Sequence, residues 1–253
     1  MRSVEEHAAV RALVADGLND CEISRRTGIP RSTVREWRRG RSRSRERHRT
    51  SGCPACGHAE HDFTALPEWH YAYLLGLYLG DGCISPNRRG VYSLRIVLDA
   101  KYPGIIEECR AAIWWVTDGK NAGLVPAPGC FHVQAYWRSW PCFFPQHGPG
   151  VKHERRIELV EWQREIVMRE PGALLRGLIH SDGWRGTNRV TAKGKEYAYP
   201  RYQFCNVSDD IRGIFCWACD LLGVAWRQMN ARNISVAKRD AVALLDEFVG
   251  PKR

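Results

Sequence analysis

The stretch Leu74-Leu75-Gly76-Leu77-Tyr78-Leu79-Gly80-Asp81-Gly82 has a second copy in this chain, Leu175-Arg176-Gly177-Leu178-Ile179-His180-Ser181-Asp182-Gly183. The shared pattern, Leu-x-Gly-Leu-x-x-small-Asp-Gly, begins at residues 74 and 175, 101 residues apart. Each copy reads as an apolar helix with small residues four apart on one face, Gly76 with Gly80 and Gly177 with Ser181. Small side chains at that spacing let two helix backbones approach closely, so these four are expected at a helix–helix interface. Each helix then runs into Asp-Gly. The glycine is an expected C-terminal stop. The aspartate is not, because a carboxylate beside the negative end of the helix dipole is unfavourable. Two such carboxylates, at equivalent ends of two helices built to pack together, imply a cation beside them.

The segments downstream of the two motifs also repeat. After Asp81 the pattern predicts strands at 83–85 and 91–99, a helix at 103–116, strands at 123–126 and 131–137, and a helix at 139–144. After Asp182 it predicts strands at 184–191 and 199–207, a helix at 210–222, strands at 224–230 and 233–237, and a helix at 239–248. An extra helix over 158–169 joins the copies. The fold class is therefore α+β, with two αββαββα repeats, the first over 65–150, a connecting segment over 151–171 and the second repeat over 172–253.

Over residues 65–249 the chain resembles the LAGLIDADG homing endonucleases, in their single-chain form with two motifs. The resemblance implies a pseudo-twofold monomer whose motif helices form the central interface and whose two antiparallel sheets make a saddle over double-stranded DNA. It implies that the last acidic residue of each motif, Asp81 and Asp182, binds the divalent metal, with Mg²⁺ the expected ion. It also implies a basic residue just before the last helix of a repeat, a position filled by Lys238 and less clearly by Arg138. The chemistry asks for the same arrangement: phosphodiester hydrolysis needs a cation to activate water and to neutralise the leaving oxygen. Gln203 is read as a water-positioning or sheet-face DNA contact, and Arg95 as a phosphate or base contact.

Towards the N-terminus, residues 4–15 have helical apolar spacing. Asp20 is an N-cap for a second helix over 21–27, Gly28-Ile29-Pro30 is a turn, and a third helix spans 32–39. Glu22-Ile23-Ser24-Arg25-Arg26-Thr27-Gly28-Ile29-Pro30-Arg31-Ser32-Thr33-Val34-Arg35-Glu36-Trp37 resembles the helix-turn-helix of DNA invertases, resolvases and transposases. That likeness implies a small all-α DNA-binding domain over 1–40, its third helix in the major groove. Arg31, Ser32, Thr33, Arg35, Glu36 and Arg38 would then face bases and phosphates; the alternative is a structural three-helix unit that binds nothing.

Between the two parts, residues 41–64 form a basic linker. Arg25 to Arg49 holds eleven arginines against two acidic residues, either a solvated connection or a phosphate-contacting arm. The linker leads into Cys53-Pro54-Ala55-Cys56-Gly57-His58, with His61 beyond. Cys53, Cys56, His58 and His61 are the side chains zinc prefers, but the Cys56–His58 spacing is tight for a finger, and a reduced, unmetallated linker is the alternative. Cys216-Trp217-Ala218-Cys219 lies mid-helix and reads as buried thiols. The segment 143–156, with His147, Lys152, His153, Arg155 and Arg156, is either a phosphate-tracking loop or a solvated connection. Trp114-Trp115, within a helix, is read as core.

Composition agrees with these readings. The 253 residues are 44% hydrophobic and carry 38 Lys+Arg against 28 Asp+Glu, a net +10, with mean hydropathy −0.42. The basic excess points to a polyanion such as nucleic acid, and residues 1–50 hold +6 of it. The apolar run 71–80 is far short of a membrane span, which needs roughly 20 residues. An acidic start, Glu5-Glu6, is unlike a signal peptide, and intein-type splicing residues are absent, so a free-standing cytoplasmic, DNA-associated protein is expected. Two functions remain open at this point: a metal-dependent, site-specific DNA endonuclease, or a non-cleaving transcriptional regulator that keeps the same fold for binding.

Overall fold

A computed structural model describes residues 4–38, 53, 55–57, 60–192, 194–250 and 252. The chain divides into two compact units, Met1–Ser51 and Gly52–Arg253.

The first unit holds α1 (Val4–Ala15), α2 (Asp20–Thr27) and α3 (Arg31–Arg38). Val10, Ile23, Ile29, Val34 and Trp37 form its core. The cap of α2 is Asn19 rather than Asp20. The Asn19 side chain accepts from the N–H groups of Cys21 and Glu22, and the Glu22 carboxylate accepts from the Asn19 N–H in return, a reciprocal box that satisfies the first-turn donors. Asp20 is thereby left to bind Arg38 at 2.8 Å and Arg35 at 3.5 Å. Gly28 has φ 67°, the left-handed turn expected of it.

The second unit contains two αββαββα repeats. In the first, α4 (Glu68–Asp81) is followed by β1 (Gly82–Pro86), β2 (Tyr92–Asp99), α5 (Pro103–Val116), β3 (Gly123–Ala127), β4 (Cys130–Trp137) and the single turn α6 (Trp140–Phe143). The connecting helix is α7 (Glu161–Arg169), which starts three residues later than expected. The second repeat is α8 (Pro171–Asp182), β5 (Gly183–Ala192), β6 (Lys195–Cys205), α9 (Asp209–Leu221), β7 (Arg227–Gln228), β8 (Asn233–Val236) and α10 (Arg239–Phe248). Each repeat builds one four-stranded sheet, in the equivalent orders β1-β2-β4-β3 and β5-β6-β8-β7. All ladders are antiparallel.

Strand alternation decides which face each sheet buries. On β2, Leu94, Ile96 and Leu98 enter the core while Arg95 is exposed; on β6, Tyr202 and Phe204 are inside while Tyr197 and Tyr199 are exposed. One core runs through both repeats, with the buried apolar residues of α4 and α8 at its centre. Trp114 and Trp115 correct the core reading. They are 43% and 51% exposed, because the buried stripe of α5 is Ile105, Ile106, Cys109, Ala112, Ile113 and Val116, and the two rings fall between its positions. Cys216 and Cys219 lie buried on α9.

Candidate functional site

The helices α4 and α8 touch backbone to backbone. A Cβ on Gly177 would lie 2.2 Å from the Tyr73 carbonyl oxygen and 2.9 Å from the Cα of Gly76; one on Gly76 would lie 2.5 Å from the Leu174 oxygen. At the far end of the seam a Cβ on Gly80 would meet Ser181 Oγ at 2.1 Å and Asp182 Oδ2 at 3.1 Å. Ser181 fits because its hydroxyl turns back onto its own helix, donating to the Gly177 and Leu178 carbonyls at 3.0 Å. Above the seam, buried His180 bridges Tyr73 Oη (2.9 Å) and the Val249 carbonyl (3.2 Å). Burial first, then the charges of Arg176 and Lys252, pushes its pKa down to about 3. It is a neutral structural link.

The glycine after each aspartate does not act as a left-handed cap. Gly82 and Gly183 have φ −89° and −99°. Each is required because the strand folds back across its own helix: a Cβ on Gly82 would sit 2.5 Å from the Tyr78 Cα, and one on Gly183 2.5 Å from the Ile179 Cα. Asp-Gly is thus the corner at which helix becomes strand, and it puts Asp81 and Asp182 side by side at the end of the seam.

Both carboxylates are held away from their ordinary titration. Burial, and then the charge of Asp182, pushes Asp81 up to about 6, against the pull of Lys152 and Lys252. Asp182 is also raised by burial, while Asn206 Nδ2, 2.6 Å from its Oδ2, works the other way. Asp81 opens onto a cleft of about 220 Å³ that it shares with Leu98, Tyr102, Trp184 and Lys252. Its carboxylate reaches solvent at the cleft mouth while protein atoms crowd it from behind.

Two lysines close the ends of the motif helices. Lys152 Nζ donates to the carbonyls of Tyr78 (2.6 Å), Gly80 (2.6 Å) and Gly82 (2.9 Å). Lys252 Nζ lies 3.4 Å from the Ser181 carbonyl and 2.7 Å from that of Gly183. The pairing is pseudo-symmetric, each lysine arriving after the last helix of its own repeat. They satisfy C-terminal carbonyls that a helix leaves unpaired and place positive charge where the dipole is negative. Burial lowers Lys152 to about 8 despite Asp182 and Asp81 nearby, and Lys252 is lowered for the same first reason.

Lys238 is not in this group. It is the exposed residue capping α10 at its start, beside Trp226, Arg227 and Met229 on the outer edge of the second sheet. The basic groups that reach the aspartates come instead from the far ends of the repeats. In the sequence Lys152 stood out only as a residue of the 143–156 segment, and Lys252 did not stand out at all. In the same connecting segment, Arg155 is spent on the carbonyls of Gln146, Pro149 and Gly150 and His147 packs on Tyr92, whereas His153 and Arg156 are exposed.

On the open sheet faces, Arg95 lies opposite Cys83 and Gln134, and Gln203 lies between Trp184 and Ser235. The strand ladder adds Arg201, Tyr199 and Tyr197 to the Gln203 face, with Trp184 47% exposed. In the first unit, Arg31, Ser32, Arg35 and Glu36 are exposed on α3 and Thr33 is half-buried. Arg38 is committed within the unit, to Asp20 and the Leu18 carbonyl. Residues 39–45 of the basic arm lie outside the described residues.

The Cys/His group is assembled differently from its sequence reading. Cys53, Cys56, His61 and Cys142 converge, all four ligand atoms within 4.8 Å of one another. His58 lies outside the described residues. Cys142, on α6, had no spacing signal, because it joins from 81 residues beyond His61.

No helix of the described residues is long and apolar enough to cross a membrane. No protein-family profile matches the chain, and no curated protein does. Among solved structures the chain is similar to mesophilic variants of the homing endonuclease I-DmoI (TM-score 0.48, 15% identity, 73% of this chain and 97% of that one). It is similar to I-DmoI in complex with DNA and Ca (TM-score 0.47, 18% identity, 73% and 91%). It is also similar to the N-terminal LAGLIDADG domain of DUF199/WhiA (TM-score 0.46, 12% identity, 76% and 87%). These likenesses are distant. Two αββαββα repeats joined by close-packed helices that each end in Asp-Gly make an α+β fold of two equivalent halves.

Proposed function

We propose that the protein binds double-stranded DNA on its two open sheet faces and hydrolyses phosphodiester bonds at the Asp81–Asp182 end of the helix seam, as a divalent-metal-dependent, site-specific endonuclease. The observation that carries this reading is the pair of carboxylates held together at a junction with no structural need for acid. Burial raises both, and Asp81 is held at about 6, so Lys152, Lys252 and Asn206 offset only part of the cost of their charge, and a cation would remove more of it. The donor set fits a hard ion: carboxylate oxygens are ligands of Mg²⁺ or Mn²⁺. When bound, such an ion supplies Lewis acidity towards phosphoryl oxygens and makes water more acidic.

The chain's own residues do the rest. Asp81 and Asp182 hold the ion, and Asn206 fixes the orientation of Asp182 through one carboxylate oxygen. Lys152 and Lys252, rather than Lys238, put positive charge beside the reacting phosphate. Arg95, Arg201 and Gln203 contact phosphates or base edges from the sheets. In the first unit, Arg31, Ser32, Thr33 and Arg35 read a major groove from α3.

One observation favours the second reading, a DNA-binding regulator that does not cut. The two lysine ammonium groups already neutralise the motif ends, and the fold therefore has its counter-charge without metal. Selection of a bound sequence, followed by incubation with Mg²⁺, separates the two. The nuclease reading expects cleavage by the native chain, none by Asp81→Asn/Asp182→Asn, and retained binding by both. Binding without metal-dependent cutting by either protein leaves the regulator.

A further inference from the structure

We infer that Cys53, Cys56, His61 and Cys142 bind a structural Zn²⁺ that fastens the first residues of the second unit onto the first sheet-and-helix repeat. Cys53 Sγ is 3.6 Å from Cys142 Sγ, and Cys56 Sγ is 3.2 Å from His61 Nε2. Zinc bound at about 2.3 Å to sulfur and 2.0–2.1 Å to imidazole nitrogen sets tetrahedron edges of roughly 3.5–3.8 Å. The two distances lie near these edges and all four ligand atoms fall within 4.8 Å of one another, so a small movement of the side chains closes them on one ion. Three thiols and an imidazole are a soft set that selects zinc over the hard cations suited to the Asp81–Asp182 pair, so the site is independent of the nuclease reading.

Local structure is built for the purpose. Cys53 and Cys56 are joined by a tight turn in which the Gly57 N–H donates to the Cys53 carbonyl at 2.8 Å, and Gly57 takes φ 68°, a conformation that favours glycine. Ser139, capping α6, sends its hydroxyl towards Cys56 Sγ at 3.6 Å, the kind of outer contact that orients a metal ligand. The His61 ring is wedged edge-on against Phe143 and tilted on Phe63, and Phe63 stacks on Trp162 at 4.0 Å. Residues 60–62 have no regular secondary structure, so apolar rings and the sulfur cluster are what hold this stretch. Disulfide pairing of Cys53 with Cys142 would use two of the four groups and leave Cys56 and His61 converging for no reason.

The experiment uses the full chain purified without chelator. Elemental analysis is expected to find close to one zinc per chain, lost in Cys142→Ser and in His61→Ala and kept in Cys205→Ser, whose thiol is exposed elsewhere. Ser139→Ala should keep the metal but yield it to a competing chelator with about tenfold lower affinity. Because a ligand variant can fail to fold, a second arm titrates Co²⁺ into stripped native chain. A tetrahedral thiolate spectrum is expected, displaced by one equivalent of zinc, together with slower amide exchange over residues 55–66 and an unchanged response to Mg²⁺. The proposal is overturned if native chain retains no stoichiometric zinc and gives no tetrahedral cobalt spectrum, or if a folded Cys142→Ser chain keeps its zinc.

Discussion

Asp81 costs the fold stability, and the sign of that cost can be tested. Its folded pKa is about 6, above the ordinary 3.8, so the native state holds its proton more tightly than the unfolded chain does. The stabilisation that comes with the proton is fully present below the unfolded pKa and is lost as pH rises through about 6. Without divalent metal, Asp81→Asn should therefore raise the melting temperature at pH 8 and have little effect at pH 4. Discounted for solvent at the cleft mouth, the gain is on the order of 1 kcal/mol, or about 2–4 °C for a chain of this size. A variant that melts below the native chain at pH 8 would contradict this. Arg38 and Arg31 make a second contrast. Arg38 is tied to Asp20 at 2.8 Å and Arg31 is exposed without such a tie among the described residues. Arg31→Ala should weaken DNA binding without altering thermal stability and lower the salt slope by about 0.9 if it meets one phosphate. Arg38→Ala should lower the melting temperature of the first unit. Both guanidiniums read alike in the sequence, since an arginine on the far turn of a short helix gives no hint of an acid eighteen residues earlier.

At the scale of elements, the seam between α4 and α8 is the part of the fold most exposed to a single methyl group. Gly177→Ala would bring carbon to 2.2 Å from the Tyr73 carbonyl oxygen, and rigid backbone on both sides must separate to admit it. Overpacking of this kind costs about 1–3 kcal/mol. Gly213→Ala, at an exposed position of α9 with nothing within 4 Å of the new carbon, should instead stabilise by about 0.5–1 kcal/mol. Chemical denaturation of the two variants measures the contrast, and equal effects would mean that the helices do not meet so closely. This seam was legible because its signal is local, two small residues four apart, and because it occurs twice. The helices over 103–116 and 239–248 were legible because apolar periodicity is likewise a local signal. The expected strand over 224–230 shrank to Arg227–Gln228, an edge strand that pairs only with Ser235 and Ile234 of β8. The site was half legible. The carboxylates carry their own motif, but Lys152, Lys252 and Cys142 reach their places only through tertiary folding across tens of residues, and no spacing rule records that.

Taken whole, the molecule is less symmetric than its repeats, and the asymmetry lies at the site. The motif glycines Gly82 and Gly183 pair with Ile96 and Phe204 across their ladders. Two residues further along, the first repeat has Leu98 and the second has Asn206. Asn206 gives Asp182 a hydrogen bond at 2.6 Å; Leu98 gives Asp81 an apolar cleft wall. Both carboxylates are desolvated, but only Asp182 has an amide hydrogen bond that orients it and eases it towards its charged form. If each aspartate serves one strand of the duplex, the two strands should be cut at unequal rates. A supercoiled plasmid carrying the bound sequence should pass through an accumulating nicked form before it becomes linear, and more so as pH falls towards 6. Leu98→Asn supplies the missing amide and should lower the pKa of Asp81, reduce the nicked fraction and extend activity to lower pH. Asn206→Leu should slow the faster step and bring the two rates together at a lower level. Linear product appearing with no nicked intermediate, unchanged by either substitution, would show that the two carboxylates act as one centre in spite of their different neighbours.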